Sequence, residues 1–322
     1  MNNKSLIILA AVAVVLGGAA YFLNGGAKSS VPKLNGKAIL PNLDVSAVAK
    51  IEVGTNLVLA AGDKGWAVET YHGYPASREK IAENLLKLGE LKVGQVVRGK
   101  ELDVTTPVVL RDAAGKELVK LELGPKHGKW GHGRYAKFDG ASVLVSDSLD
   151  AFDGDAKQWC STRIASIPSA DVTAVSYRHG DELVELAKGT NSTWTLKGLA
   201  AQEELDASKS HSLDSALAYL DFNSVADPKL AEAELGFSTG FVYTVTYKDG
   251  SNTVKRVATV GNAVKGGTDR YFKMDNANWI FTISSYSAEN MMKTRKDLVK
   301  AKPEPKKEEP KRAEAKKPEA KK

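Results

Sequence analysis

Two long stretches of this chain run through the same order of elements, so its fold must accommodate a duplication. The first opens with Val48-Ala49-Lys50-Ile51-Glu52-Val53 and continues through Leu57-Val58-Leu59-Ala60 to Gly65-Trp66-Ala67-Val68. The second opens with Val172-Thr173-Ala174-Val175-Ser176-Tyr177 and continues through Glu182–Leu186 to Thr193-Trp194-Thr195-Leu196. Alternation with period two, broken by turns containing Gly or Asp, predicts short antiparallel strands in both. Trp66 and Trp194 hold matching places on the third strand.

A helix is expected next in each copy. Ile81, Leu85, Leu86 and Leu88 form one apolar stripe, and Leu213, Leu217 and Leu220 form another. Ser77 is the expected N-cap of the first, and Ser212 or Ser210 of the second. A hairpin follows each time: Val108–Arg111 turns into Leu118–Gly124, and Tyr243–Tyr247 turns through Asp249-Gly250 into Val254–Gly261. Arg134-Tyr135-Ala136-Lys137-Phe138-Asp139 then matches Arg270-Tyr271-Phe272-Lys273-Met274-Asp275. The offset is wider at Gly124 and Gly261 than at Ile51 and Val175, so loops are longer in the second copy. Period-two strands bury one face, and a helical stripe would cover it. The expectation is therefore an α+β fold: two tandem α+β repeats, residues 38–163 and 164–300, each an antiparallel sheet with one covering helix.

The ends differ in character from this body. Residues 1–27 contain an uncharged run, Leu6–Leu23, of 18 residues, which as a helix would span roughly 27 Å. An uncleaved N-terminal transmembrane helix is the preferred reading, and a cleaved signal segment is its rival. Both leave Lys4 on the cytoplasmic side and send the body across the membrane. A buried core helix is the third and least apt reading, because such a helix seldom lacks every polar residue. Residues 28–37 read as a polar linker. Residues 301–322 hold nine Lys or Arg and five Glu with no aliphatic residue larger than Ala, the composition of a disordered tail.

That tail carries most of the excess charge. The chain has a net charge of +6 and a pI near 9.0, yet the body is nearly neutral. No nucleic-acid partner is implied. Hydrophobic residues make up 43% of the chain, enough for a sizeable core, while a mean hydropathy of -0.27 argues against several membrane spans. Cys160 is the single cysteine, so no disulfide can form within the chain.

The apolar start MNNKSLIIL, the strand–turn–Gly-Trp unit from Ile51 to Val68, and the Leu-Gly, Arg-Tyr, Val-Leu-Val succession from Leu123 to Val145, repeated from Val260 to Phe281, resemble bacterial proteins carrying DUF4340, a domain of unknown function. The resemblance covers roughly residues 4–295. Trp159-Cys160-Ser161-Thr162-Arg163 matches the family's junction only in part. The resemblance implies an envelope location near ABC-type export or gliding-motility components. It implies no catalytic residues.

Few residues point to chemistry. His127, Lys129, His132 and Arg134 lie in one Gly-rich loop, the best local place for a ligand, although a mobile cationic hairpin tip explains it more simply. Metal ligation would need more ligands at defined spacing, and none is assigned. Asp147, Asp150, Asp153 and Asp155 lack the spacing of a calcium loop and read as capping and turn residues. Tyr71, His72 and Tyr74 read as turn packing. Cys160 would need a histidine base to act as a nucleophile. Neither a nucleotide-binding nor a serine-hydrolase motif is present. No cofactor is implied, and an enzyme is the less favoured reading.

The expected function is a non-enzymatic scaffold or accessory protein of the envelope, single-pass in the inner membrane, with its globular part in the periplasm or extracytoplasmic space. Its partners would be the membrane, an envelope protein, and an acidic surface met by the tail. The alternative is a periplasmic enzyme or ligand-binding protein acting on a cell-wall polymer at an inter-domain cleft.

Overall fold

The computed structural model describes residues 34–97, 102, 105–128, 133–210 and 213–301. The expected transmembrane segment, most of the expected linker and the tail beyond Ala301 lie outside these residues. Among the described residues no helix is long and apolar enough to cross a membrane. The chain divides into two compact units between Cys160 and Ser161.

The first unit is a nine-stranded antiparallel sheet. Its strands are β1 (Lys50–Val53), β2 (Leu57–Gly62), β3 (Gly65–Val68), β4 (Tyr74–Pro75), β5 (Val93–Val96), β6 (Thr106–Arg111), β7 (Glu117–Lys126), β8 (Arg134–Phe138) and β9 (Ala141–Val145). They lie in the order β4-β3-β2-β1-β6-β7-β8-β9-β5. Alternation decides the faces: Ile51, Val53, Val108 and Leu110 are buried, while Lys50, Glu52, Val109 and Arg111 point outward. Between β4 and β5 runs helix α1 (Arg78–Gly89). Ser77 caps it, its Oγ accepting the Lys80 N–H at 3.4 Å, and Glu83 pairs with Lys87 one turn on at 2.7 Å. Ile81, Leu85 and Leu88 are buried, but Leu86 is 54% exposed and does not belong to the stripe. Leu34 is buried and Gly36 N–H donates to Val93 O at 2.6 Å, so residues 34–37 are packed into this unit.

In the second unit the strands are β10 (Arg163–Ala165), β11 (Val172–His179), β12 (Glu182–Lys188), β13 (Trp194–Leu196), β14 (Glu203–Leu205), β15 (Leu220–Asp221), β16 (Ser224–Val225), β17 (Phe241–Asp249), β18 (Asn252–Ala263), β19 (Arg270–Met274), β20 (Phe281–Ile283) and β21 (Val299–Ala301). Eight form one antiparallel sheet in the order β13-β12-β11-β17-β18-β19-β20-β16, and β10-β15 and β14-β21 form two-stranded ribbons. The eight-stranded order reproduces that of the first sheet strand for strand, apart from β4. The helices α2 (Ala207–Ser210), α3 (Glu232–Leu235), α4 (Ser285–Glu289) and α5 (Arg295–Leu298) have five residues or fewer.

The α+β expectation is therefore corrected: the described fold is mostly antiparallel sheet, and no long helix covers the second one. Leu213, Leu217 and Leu220 are buried as predicted, but residues 213–218 form turns. The reason lies in the backbone carbonyls. Leu213 O accepts the Tyr243 hydroxyl at 3.1 Å, Asp214 O accepts the Ser169 hydroxyl at 3.2 Å, and Leu217 O accepts the Ile167 N–H at 2.9 Å. These are acceptors that a helix would use for its own ladder. The Asp214 carboxylate is also held by Lys188 at 2.7 Å. Bonds from Tyr243, Ser169 and Ile167 stand in place of helical ones.

Candidate functional site

The hairpin β7–β8 carries the residues that the sequence marks for ligand binding. Its ladder is interrupted between Leu123 and Lys126, where Pro125 has no N–H to donate. Gly124 sits at this bulge with little room for a side chain: a Cβ there would lie 3.1 Å from Tyr135 Cβ and 3.2 Å from Leu102 Cδ1. Arg134 closes the gap. Its Nε donates to Gly124 O at 2.7 Å, and one terminal nitrogen reaches Leu149 O at 3.4 Å and Asp153 Oδ1 at 2.8 Å. The side chain is buried, and a buried guanidinium is tolerated because it is paired and hydrogen-bonded.

Lys126 extends the network outward, lying 2.5 Å from Asp150 Oδ1 and 2.7 Å from Asp153 Oδ2. The hydrogen bond with Asp150 does most to raise the ammonium above its ordinary pKa, and Lys126 in turn holds the Asp150 carboxyl below its own. His127 stays exposed at the tip, Nδ1 2.8 Å from the Tyr135 hydroxyl, its ring edge-on to the tyrosine. Lys129 and His132 lie outside the described residues. Of the four loop residues singled out, Arg134 thus points inward and is spent on the fold, and His127 is engaged by Tyr135.

The sequence marks neither Tyr135 nor Lys126 for this site and reads Asp153 only as a capping or turn residue, but duplication offers a signal. The second copy has the same bulge, between Val260 and Ala263, and Arg270 donates to Gly261 O at 3.0 Å. An arginine that meets a glycine carbonyl in both copies is part of the scaffold.

The other candidates are also occupied. Asp147 and Asp155 accept the N–H groups of Leu149 at 2.7 Å and Lys157 at 2.9 Å. Among the described residues no group of three or more His, Cys, Asp or Glu is placed to hold a metal ion. Lys80, Asn84, Lys87, Asp147, Asp150 and Gln158 line a polar recess of about 260 Å³ beside α1. Lys80 there donates to Lys157 O at 3.1 Å, and Lys87 is paired with Glu83. Cys160 is buried, and burial pushes its thiol up to about 11, so it is neither exposed nor a thiolate at neutral pH. Tyr71 and Tyr74 meet edge to face at 6.4 Å, and burial raises the Tyr74 phenol to about 12.

Residues 66–239 match the family model described as Domain of unknown function (DUF4340). The chain belongs to the DUF4340 family. No curated protein and no solved structure matches it. The DUF4340 match begins in β3 of the first unit and stops just short of β17 in the second, so it takes in parts of both units.

Proposed function

We infer that this DUF4340 protein is a non-enzymatic scaffold or accessory subunit of the cell envelope, held at the inner membrane with both units on the extracytoplasmic side. The association of the family with ABC-type transport or gliding-motility systems makes an integral membrane partner of that kind the natural one. One observation carries this reading: the polar motif that recurs in both units, Arg134 and Arg270, is spent on a glycine carbonyl in the sheet. What recurs between the units is an architectural contact. The apolar run Leu6–Leu23 supports membrane attachment.

Partner contacts would fall on sheet faces. The sheets end on β4 and β16, two residues each, β13, three residues, and β5, four residues. Edges this short give an added strand few backbone partners.

Expressed as the full chain, the protein is expected to sediment with membranes and to co-purify in detergent with an integral membrane protein at fixed stoichiometry. A reporter fused after Lys300 should be active only outside the cytoplasm. Activity confined to the cytoplasm, or purification from membranes without any partner, overturns the reading.

A further inference from the structure

The outward faces of the two sheets differ sharply at one registered place. Lys50 lies opposite Ala60 and Arg111, and Ala174 lies opposite Ala187 and Thr246. Lys50, Glu52 and Arg111 therefore correspond to Ala174, Ser176 and Thr246. In the first unit the three side chains form an ion group, with Glu52 3.2 Å from Lys50 and 3.1 Å from Arg111. Long charged side chains lay their stems over a sheet and fill the space above it. In the second unit a methyl and two short hydroxyl side chains stand in their place, within a hollow of about 410 Å³. That volume is toward the lower end of the roughly 300–1,000 Å³ common for small-molecule sites.

The hollow has a definite chemistry. The hydroxyls of Ser176, Thr244 and Thr246 make no hydrogen bond among the described residues, and each can both donate and accept. Lys255 stands opposite Thr246 at one end, exposed and without an ion pair among the described residues. Lys197 stands at the other end, held by Glu185 at 2.7 Å. Two ammonium groups and one carboxylate leave one positive charge unmatched. An apolar ligand would strand these polar groups. A compact anion with several hydroxyls would satisfy them.

We propose that this hollow binds an anionic sugar of monosaccharide size. Lys255 takes its carboxylate or phosphate, and Ser176, Thr244 and Thr246 meet its hydroxyls. Glu185, steadied by Lys197, accepts from one hydroxyl at the far end. This binding goes beyond the scaffold reading and stands or falls without it.

The test is calorimetric titration of the full chain in detergent with D-glucuronate, D-glucose 6-phosphate, D-glucose and acetate. At least one anionic sugar should bind, with glucose and acetate at least about tenfold weaker, since neither combines charge with hydroxyls. The comparison of glucuronate with glucose 6-phosphate decides between a carboxylate and a phosphate. Lys255→Met, at an exposed position, should weaken binding about ten- to a hundredfold, as expected for one hydrogen bond to a charged group. The triple variant Ala174→Lys, Ser176→Glu, Thr246→Arg installs the first unit's ion group and should abolish binding while thermal unfolding stays near that of the parent. No binding of either anionic sugar, equal binding of acetate, or undiminished binding by Lys255→Met overturns the proposal. So does binding that survives a folded triple variant. Should the triple variant not fold, Lys255→Met decides alone.

Discussion

Val53 faces Val108 across the first sheet, and Tyr177 faces Tyr243 at the same registered place in the second. The first unit has the twelve-residue helix α1, with Ile81, Leu85 and Leu88 buried, whereas in the second a turn-rich segment brings Leu213, Leu217 and Leu220 inward and meets Tyr243 through Leu213 O. A helix with its side chains fills a thick layer, about 10 Å across, and a sheet packed under one needs only aliphatic residues. An irregular segment fills less, and the two phenol rings, 5.2 Å apart, supply the missing volume. Interiors are close-packed, so cover and floor must change together. The ladder was kept through the duplication and the layer above it was exchanged.

The bulge glycines give the strongest trial of that idea. Gly124 and Gly261 hold the same place, but a Cβ at Gly261 would lie 2.0 Å from Leu235 O, whereas the nearest atom at Gly124 would be 3.1 Å away. In the second unit the obstacle is backbone, which cannot swing aside. Gly261→Ala should therefore cost about 3 kcal/mol or more, and Gly124→Ala about 1 kcal/mol. Urea unfolding of the full chain followed by fluorescence measures both. Equal losses would mean that the two bulges are packed alike, contrary to the account above.

The buried tyrosines should respond with opposite signs. The Tyr243 hydroxyl donates to Leu213 O at 3.1 Å, so Tyr243→Phe leaves a carbonyl unpaired and should destabilise by about 1 kcal/mol. The Tyr177 hydroxyl is buried with no hydrogen-bond partner, and burial holds its phenol far above the ordinary value. Tyr177→Phe removes an unsatisfied group at almost constant volume and should stabilise by about 1 kcal/mol. The same unfolding experiment checks both, and a loss of stability in both variants would show that Tyr177 has a partner after all.

The strands and their correspondence between the copies are legible in the sequence, because period-two alternation fixes which face is buried and matched motifs such as Trp66 with Trp194 align the copies, whereas the order of strands in each sheet is not. The second helix fails to form for a physical reason. Leu213, Leu217 and Leu220 have helical spacing, but spacing records only which side chains are buried. It does not record that Tyr243, Ser169 and Ile167 take the carbonyls a helix needs. Leu86 departs from expectation on the same basis, since a stripe drawn one position too wide looks equally apolar. At the hairpin, Arg134 looked like a ligand because its loop is rich in glycine and cations, while its partners Asp153 and Leu149 are far along the chain. Its twin Arg270 was the readable warning. The hollow on the second sheet was invisible until register set Ala174, Ser176 and Thr246 against Lys50, Glu52 and Arg111.

The two arginines also differ in their surroundings, with the smallest consequence and a distinct pH signature. Arg134 reaches Asp153, which joins Lys126 and through it Asp150, whereas Arg270 makes no ion pair among the described residues. The Asp150 carboxyl is held below its ordinary range, chiefly by the hydrogen bond from Lys126. A lowered carboxylate pKa adds stability above the unfolded value of about 3.9, and that stability fades as pH falls through the folded value. Lys126 is raised by the same contact, so its share is present below the unfolded lysine value of about 10.4 and fades as pH rises through the folded one. Asp150 is largely solvent-facing, so Asp150→Asn should cost under about 1 kcal/mol at neutral pH. The variant should converge with the parent as pH falls through the parent's lowered carboxyl value, where that carboxyl is protonated too. Urea unfolding from neutral to acid pH reads the difference, and a gap that persists undiminished in acid would assign the loss to packing instead of charge. Raising salt offers an independent check, because screening should shrink the neutral-pH gap while leaving the Gly261 and Tyr177 effects in place.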